Sequence, residues 1–297
     1  MKTVMKTIMK NNKSEIYIKI LLGICALVSV LAVSFIVIFL FSTAIPTVGK
    51  IGFFNFILGN VWLPTAEEPL FGIRNLILTS FYGTAGAIVI GVPLGILAAV
   101  AIAEVLPDKM AKIVSPAVNL LAGIPSVIYG AIGAILLVPF VQKIFVLNTG
   151  ATLFSAIIVL SIMVLPTIIS VSATSIRAVP KTYMDASLAL GLTKEASLYK
   201  IVIPAAKSGI MTSVLLGLGR AIGEAMAIIL VAGNVPGFPE LFRPARFLTT
   251  GIVAEMGYAD GLHRDALFTI GAVLFVFILV INSLFYIMIR RMGNNNS

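Results

Sequence analysis

The stretch from Leu76 to Ala103 reads LILTSFYGTAGAIVIGVPLGILAAVAIA and contains no Asp, Glu, Lys or Arg. A helix needs roughly 20 mostly apolar residues to cross about 30 Å of hydrocarbon, so this run is long enough to span a bilayer. Working outward, five further runs have the same character: Ile20 to Ala44, Val114 to Val141, Ala151 to Ile176, Gly209 to Ala232 and Ala266 to Ile289. The 297-residue chain is 59% hydrophobic and 11% charged, with a mean hydropathy of +1.10. Too little polar surface remains to coat a soluble domain. The expected fold class is an all-α polytopic membrane protein with six transmembrane helices.

The net charge of +9 does not point to nucleic acid, because most of the basic residues flank the spans. Both termini and the second and fourth connections hold about 14 of the Lys and Arg residues, against about six in the other connections. The excess of positive charge on one side predicts that both termini are cytoplasmic, and an even number of spans agrees. The chain then divides into a cytoplasmic tail (1–19), a first span (20–45), an external loop (46–75), a core of five spans (76–289) and a cytoplasmic tail (290–297). Lys2, Lys6, Lys10, Lys13 and Lys19 ahead of an apolar run imitate a signal peptide. However, Ile20 to Ile45 exceeds the roughly 7–15 residues of a signal core and lacks a clear small-residue cleavage site, so it reads as an uncleaved span.

The lone cysteine, Cys25, excludes a disulfide framework within the chain. His263, the only histidine, has no cysteine near it, so no metal site is expected, and no cofactor. The chain lacks GxxxxGK[ST], the loop that cradles nucleotide phosphates, and is not its own nucleotide hydrolase. Pro46 to Asn75, with Trp62, Pro64 and Pro69, reads as a loop with an interfacial segment. Asn234 to Arg264 sets Arg243, Arg246 and Arg264 against Glu240, Glu255 and Asp260, and reads as a solvated loop of mixed charge.

Several spans carry breakers: Pro93, Pro125, Pro139 and Pro166, with Gly91 and Gly95, and Gly219 and Gly223, at four-residue spacing. Small residues so placed let helices approach closely. Arg220 and Glu224 lie well inside an apolar run, where an ionised side chain costs roughly 2.5–3.5 kcal/mol to insert. Four residues apart on a helix they share a face, about 5.4 Å apart along the axis, and are expected to reach each other. Two roles stay open at this point: a self-neutralising pair that glues helices, or a face lining a route for an oxyanion. Ser126, Tyr129 and Thr167, beside proline breaks, offer hydroxyls to the same anion or bond back to their own helices.

The fourth connection reads RAVPKTYMDASLALGLTKEASLYKIVIPAAK from Arg177 to Lys207. A short helix around Met184 to Leu190, a break at Gly191, a second helix from Thr193 and Pro204 leading into a span make a helix-turn-helix at the membrane face. It fits a docking knob for a soluble partner or an interfacial tether. Asp185, Ala186, Ser187, Gly191, Ile201, Ile203 and Pro204 resemble the EAA loop of ABC importer permeases, with Asp185 in place of Glu and Ser187 in place of the second Ala. GIPSVIYG (Gly123 to Gly130), LPTIISVS (Leu165 to Ser172), RAVP (Arg177 to Pro180), GRAIGEAMA (Gly219 to Ala227) and PARFLTTGIVAEMGYADG (Pro244 to Gly261) resemble phosphate permease subunits, and the last favours the PstC type over the PstA type.

This resemblance implies a type I ABC importer permease fold in a prokaryotic cytoplasmic membrane. It also implies a PstA-type second permease, a PstB-type cytoplasmic ATPase dimer, and a PstS-type external phosphate-binding protein that meets the Asn234 to Arg264 loop. Asp185, Ala186, Ser187, Gly191 and Pro204 would couple to the ATPase, and Arg220 and Glu224 would serve phosphate passage. An ion-gradient-coupled anion carrier and an ABC permease for another oxyanion are the rival readings.

Overall fold

The computed structural model describes the backbone of residues 2–294 and the side chains of residues 16–287. The side chains of Lys2, Lys6, Lys10 and Lys13 and the end of the 290–297 tail lie outside the described residues.

Helix α1 (Lys2–Ile51) runs on past the expected span end and through Pro46. Gly52, at φ 92°, makes the elbow to α2 (Phe53–Leu58), a backbone angle that glycine adopts without Cβ strain. A two-stranded antiparallel hairpin follows, β1 (Trp62–Leu63) and β2 (Leu70–Phe71), with Trp62 opposite Phe71. Phe56, Trp62, Phe71 and Ile73 are buried against Leu248, Leu267 and Ile270. The segment read as a loop from Pro46 to Asn75 is thus a folded cap, because its aromatic residues have an apolar end of the bundle to cover.

Helix α3 (Arg74–Val100) passes into a π-helical turn at Ala101–Val105. Next come α4 (Asp108–Ala122), α5 (Ser126–Ile132), a second π-helical turn at Gly133–Leu137 and α6 (Val138–Ile144). The expected span from Val114 to Val141 is therefore not one helix. It breaks at Gly123–Pro125, where Pro125 has no amide proton to continue α4's ladder, and the span-length helix is Ser126–Ile144. The amphipathic α4 buries none of its residues.

Helix α7 (Leu153–Arg177) is the hub. Gly91 and Gly95 of α3 are pressed on it so closely that a Cβ on either would lie 2.7 Å from Val164 Cγ2 or Ile168 Cγ2. On its other side α11 (Lys207–Gly223) packs through Gly217, whose Cβ would lie 3.0 Å from Ile168, and through a buried Ser172–Ser213 hydroxyl contact of 2.7 Å. No such contact exists at Gly219 and Gly223, where an added Cβ would meet nothing within 4 Å. Gly91 and Gly95 therefore form a packing surface, while Gly219 and Gly223 border open space. Gly95→Val is expected to cost about 1–3 kcal/mol by overpacking and to lower the yield of folded protein, whereas Gly219→Ala leaves the yield unchanged. Size-exclusion profiles of the two purified variants check this.

Between α7 and α11 lie α8 (Lys181–Ala189), α9 (Lys194–Ser197), a third π-helical turn at Leu198–Val202, and α10 (Ile203–Ala205). The Lys194–Ala205 arm meets α11 at a 67° bend. After α11 the chain breaks again before α12 (Met226–Val231), so the expected span from Gly209 to Ala232 is also interrupted. Helix α13 (Leu248–Glu255) lies at the hairpin end, and α14 (Gly261–Asn294) returns through the bundle beside α1, with Phe39 edge-on to Phe268 and Phe41 edge-on to Phe275. Among the described residues, five helices are long and apolar enough to cross a membrane, or six if the bent pair through α11 is one span.

Candidate functional site

Arg220 and Glu224 do not share a helical face. Helix α11 ends at Gly223, and Glu224 is extended (φ −73°, ψ 131°), which turns its side chain away from the α11 stripe. Its Oε1 instead accepts the amide of Ala227 at 2.9 Å, in the first turn of α12, while its carbonyl accepts Thr249 Oγ1–H at 2.7 Å. A carboxylate placed there satisfies an amide that has no partner within the helix. The expected Arg220–Glu224 pair is absent: Arg220 pairs with no carboxylate among the described residues, and its one hydrogen bond goes from a guanidinium nitrogen to Thr167 Oγ1 at 3.4 Å. A guanidinium carries five N–H donors, so most of its capacity is unused. Beside it, the Gly219 and Gly223 edge of α11 is open.

The other hydroxyls fare differently. Thr167 on α7 is brought to Arg220. Tyr129 donates its hydroxyl to Leu121 O at 2.8 Å, bridging the Gly123–Pro125 break by satisfying a carbonyl at the end of α4. Ser126 begins α5, half-buried. Helix α5 packs on α12 at Gly130, where a Cβ would lie 2.7 Å from Ala227 Cα, so the two broken segments lie side by side. Among the described residues, no hydrogen bond joins Ser126 or Tyr129 to Arg220.

At the opposite end from the hairpin, Asp185 and Ala186 are exposed on α8, whereas Ser187 is buried with its hydroxyl donated to Met184 O at 2.7 Å. A small residue is required at 187 for that reason. Gly191 takes φ 87° and closes α8 through Gly191 N–Leu188 O (2.9 Å) and Leu192 N–Ser187 O (3.2 Å). Thr193 caps α9 by accepting Ala196 N at 3.2 Å, and Pro204 begins α10. Tyr183, Leu188, Leu190 and Tyr199 stand exposed around this knob, Leu190 at 83%.

The hairpin end holds a cluster that the sequence reading missed. Glu255, 5% exposed, accepts Trp62 Nε1–H at 2.9 Å, pairs with Arg246, and lies 2.8 Å from His263 Nε2. Of the segment read as a solvated loop, only Arg243 and Glu240 form the expected exposed pair, at 2.9 Å. The chain's only tryptophan and only histidine both fall in segments that read as loops, and that coincidence was the available signal. Among the described residues no group of three metal-ligating side chains occurs.

Residues 91–294 match the family model described as "binding-protein-dependent transport system inner membrane component". This chain belongs to that family. It is 37% identical over 285 residues to the probable ABC transporter permease protein YqgH of Bacillus subtilis, covering 94% of this chain and 91% of that one. It is 34% identical over 260 residues to the phosphate transport system permease protein PstC of Pasteurella multocida, covering 80% of each. In fold it resembles the membrane chain of the inward-facing MetNI methionine ABC transporter (TM-score 0.56, 22% identity, 74% of this chain and 94% of that one). A bacterial ABC transporter for the acidic polysaccharide alginate gives TM-score 0.57 at 20% identity, with 73% and 78% covered. The type I importer permease fold expected from the sequence is thus present. The chain is the multi-pass permease component of an ABC importer, a family that works with a separate ATPase subunit and a substrate-binding protein. Membership in that family displaces the gradient-driven carrier.

Proposed function

We propose that this chain forms half of the translocation pathway of an ATP-driven phosphate importer. The observation that carries the reading is Arg220: a guanidinium inside an apolar bundle, on the edge of α11 that faces open space, with a hydroxyl as its sole partner. Such a charge is costly to insert, and a planar fork of donors matches a tetrahedral oxyanion. An oxyanion arriving there gains charge-assisted hydrogen bonds without first breaking an ion pair. The phosphate permeases among the relatives, PstC of Pasteurella multocida and of Haemophilus influenzae (32% identical over 258 residues), support phosphate as the substrate.

The open edge of α11 and the exposed α4 suit a second, PstA-type permease that completes the route, with Glu224 and the hydroxyls of Ser126, Tyr129 and Thr167 lining it. The α8–α9 knob, carrying Asp185, Ala186, Ser187, Gly191 and Pro204, docks into a PstB-type ATPase through Tyr183, Leu188 and Leu190. That places the knob and both termini in the cytoplasm, and the hairpin end outside, facing a PstS-type binding protein. Proteoliposomes holding all the subunits are expected to take up labelled phosphate only with ATP, with excess sulfate not competing. Absence of phosphate uptake by an assembly that hydrolyses ATP would overturn the substrate assignment.

A further inference from the structure

Below Arg220, α7 carries Thr167, Ser170, Thr174 and Arg177 at spacings of three, four and three, which puts them on one face. Helix α4 presents Lys112, Ser115 and Asn119 at similar spacing. The two faces meet across a cavity of about 90 Å³ lined by Ser115, Asn119, Ser170, Thr174 and Arg177 with a few apolar side chains, and a cavity needs only about 10–15 Å³ to admit one water. It adjoins a wider recess reached by Lys112 and Asp108.

The donors around this cavity are largely unspent. Ser115 Oγ is buried and has no hydrogen-bond partner. Arg177 gives one guanidinium nitrogen to Ile102 O at 2.9 Å, leaving further N–H groups. Asn119 uses its oxygen to accept from Ser170 Oγ at 2.9 Å, leaving its amide protons, while Thr174 donates to Ser170 O at 2.8 Å. No carboxylate lines the cavity. Its chemistry selects an anion, and its size selects a small one.

We propose that this cavity is a second oxyanion site at the cytoplasmic mouth, centred on Arg177, Ser115 and Asn119, which receives phosphate released from Arg220. Thr167 and Arg177 are ten residues apart, about 15 Å along α7, so two guanidinium stations lie on one polar stripe. A site at the mouth fills from either side. Phosphate that accumulates in the cytoplasm occupies it by mass action and slows further import. The proposal rests on the reading of the chain as a phosphate permease.

The test uses the complete transporter in proteoliposomes with the ATPase facing outward, so that external phosphate addresses the cytoplasmic mouth. Initial import at zero external phosphate reports the pathway itself, and its absence in the parent would sink the functional reading rather than this one. Added external phosphate is expected to slow import in the parent. Arg177→Gln should raise the half-inhibiting concentration at least about tenfold, the effect of one lost charge-assisted hydrogen bond. Ser115→Asp should abolish the inhibition by charge repulsion, and Ser115→Ala, which breaks no hydrogen bond, should weaken it. Lipid phosphate has the same chemistry, so the series is run in vesicles with and without anionic phospholipid. If phosphate inhibits the parent and all three variants equally, or not at all, the proposal is overturned. It is overturned equally if the variants' effect follows anionic lipid instead of added phosphate.

Discussion

Arg220→Ala is expected to reduce ATP-driven phosphate uptake by at least about 100-fold, with the subunits still assembling and the ATPase still turning over. The size follows from losing two charge-assisted hydrogen bonds of about 1.5–3 kcal/mol each at a site where no water replaces them cheaply. Assembly should survive because the guanidinium holds nothing together: its sole contact is the long hydrogen bond to Thr167. Arg220→Lys should recover little, since a point charge lacks the fork. Thr167→Val removes the partner that orients the guanidinium, and should cost only about 3–10-fold, the value of one neutral hydrogen bond. Normal uptake by a correctly assembled Arg220→Ala transporter would return the residue to the role of helix glue.

The second large effect concerns stability. Glu255→Ala leaves the Arg246 guanidinium, 14% exposed, without its carboxylate, and takes the acceptor from Trp62. Removing one partner of a buried pair costs about 3–5 kcal/mol. At a few degrees per kcal/mol for a chain of this size, the melting temperature of the purified protein should fall by roughly 10 °C. Replacing both partners, Glu255→Met with Arg246→Met, should be less harmful than Glu255→Ala alone, because no unpaired charge remains buried. A melting temperature for Glu255→Ala within about 2 °C of the parent would mean that water reaches the cluster freely. The four groups come from β1, the segment before α13, α13 itself and α14, so this cluster ties the hairpin cap to the bundle.

How much of this was legible in the sequence follows from the range of each interaction. Hydropathy reports a sum over about 20 residues, and it found the spans because lipid acts on that sum. It could not see the breaks at Gly123–Pro125 and Glu224–Ala225, since two or three residues leave the average unchanged. The break at Glu224 is the costly omission: helical spacing set Arg220 beside Glu224, and one extended residue undid it. The α8–α9 knob was legible because its punctuation is local, with Gly191 in the left-handed region and Thr193 as a cap. The Glu255 cluster was not, because Trp62 and Glu255 lie 193 residues apart and meet only through the tertiary fold.

The three π-helical turns bear on which insertions and deletions the chain can absorb. Each turn accommodates one residue more than an α-helical path would, so everything downstream is rotated by about 100° relative to an uninterrupted helix. Deleting a single residue within Gly133–Leu137 would leave the length and apolar character of Ser126–Ile144 almost untouched, and a hydropathy plot would not register it. Yet it would swing Val141, the one buried residue of α6, out of the interior and bring an exposed neighbour such as Phe140 towards it. In this chain, a one-residue frameshift in angle is more damaging than a conservative substitution at any of the same positions.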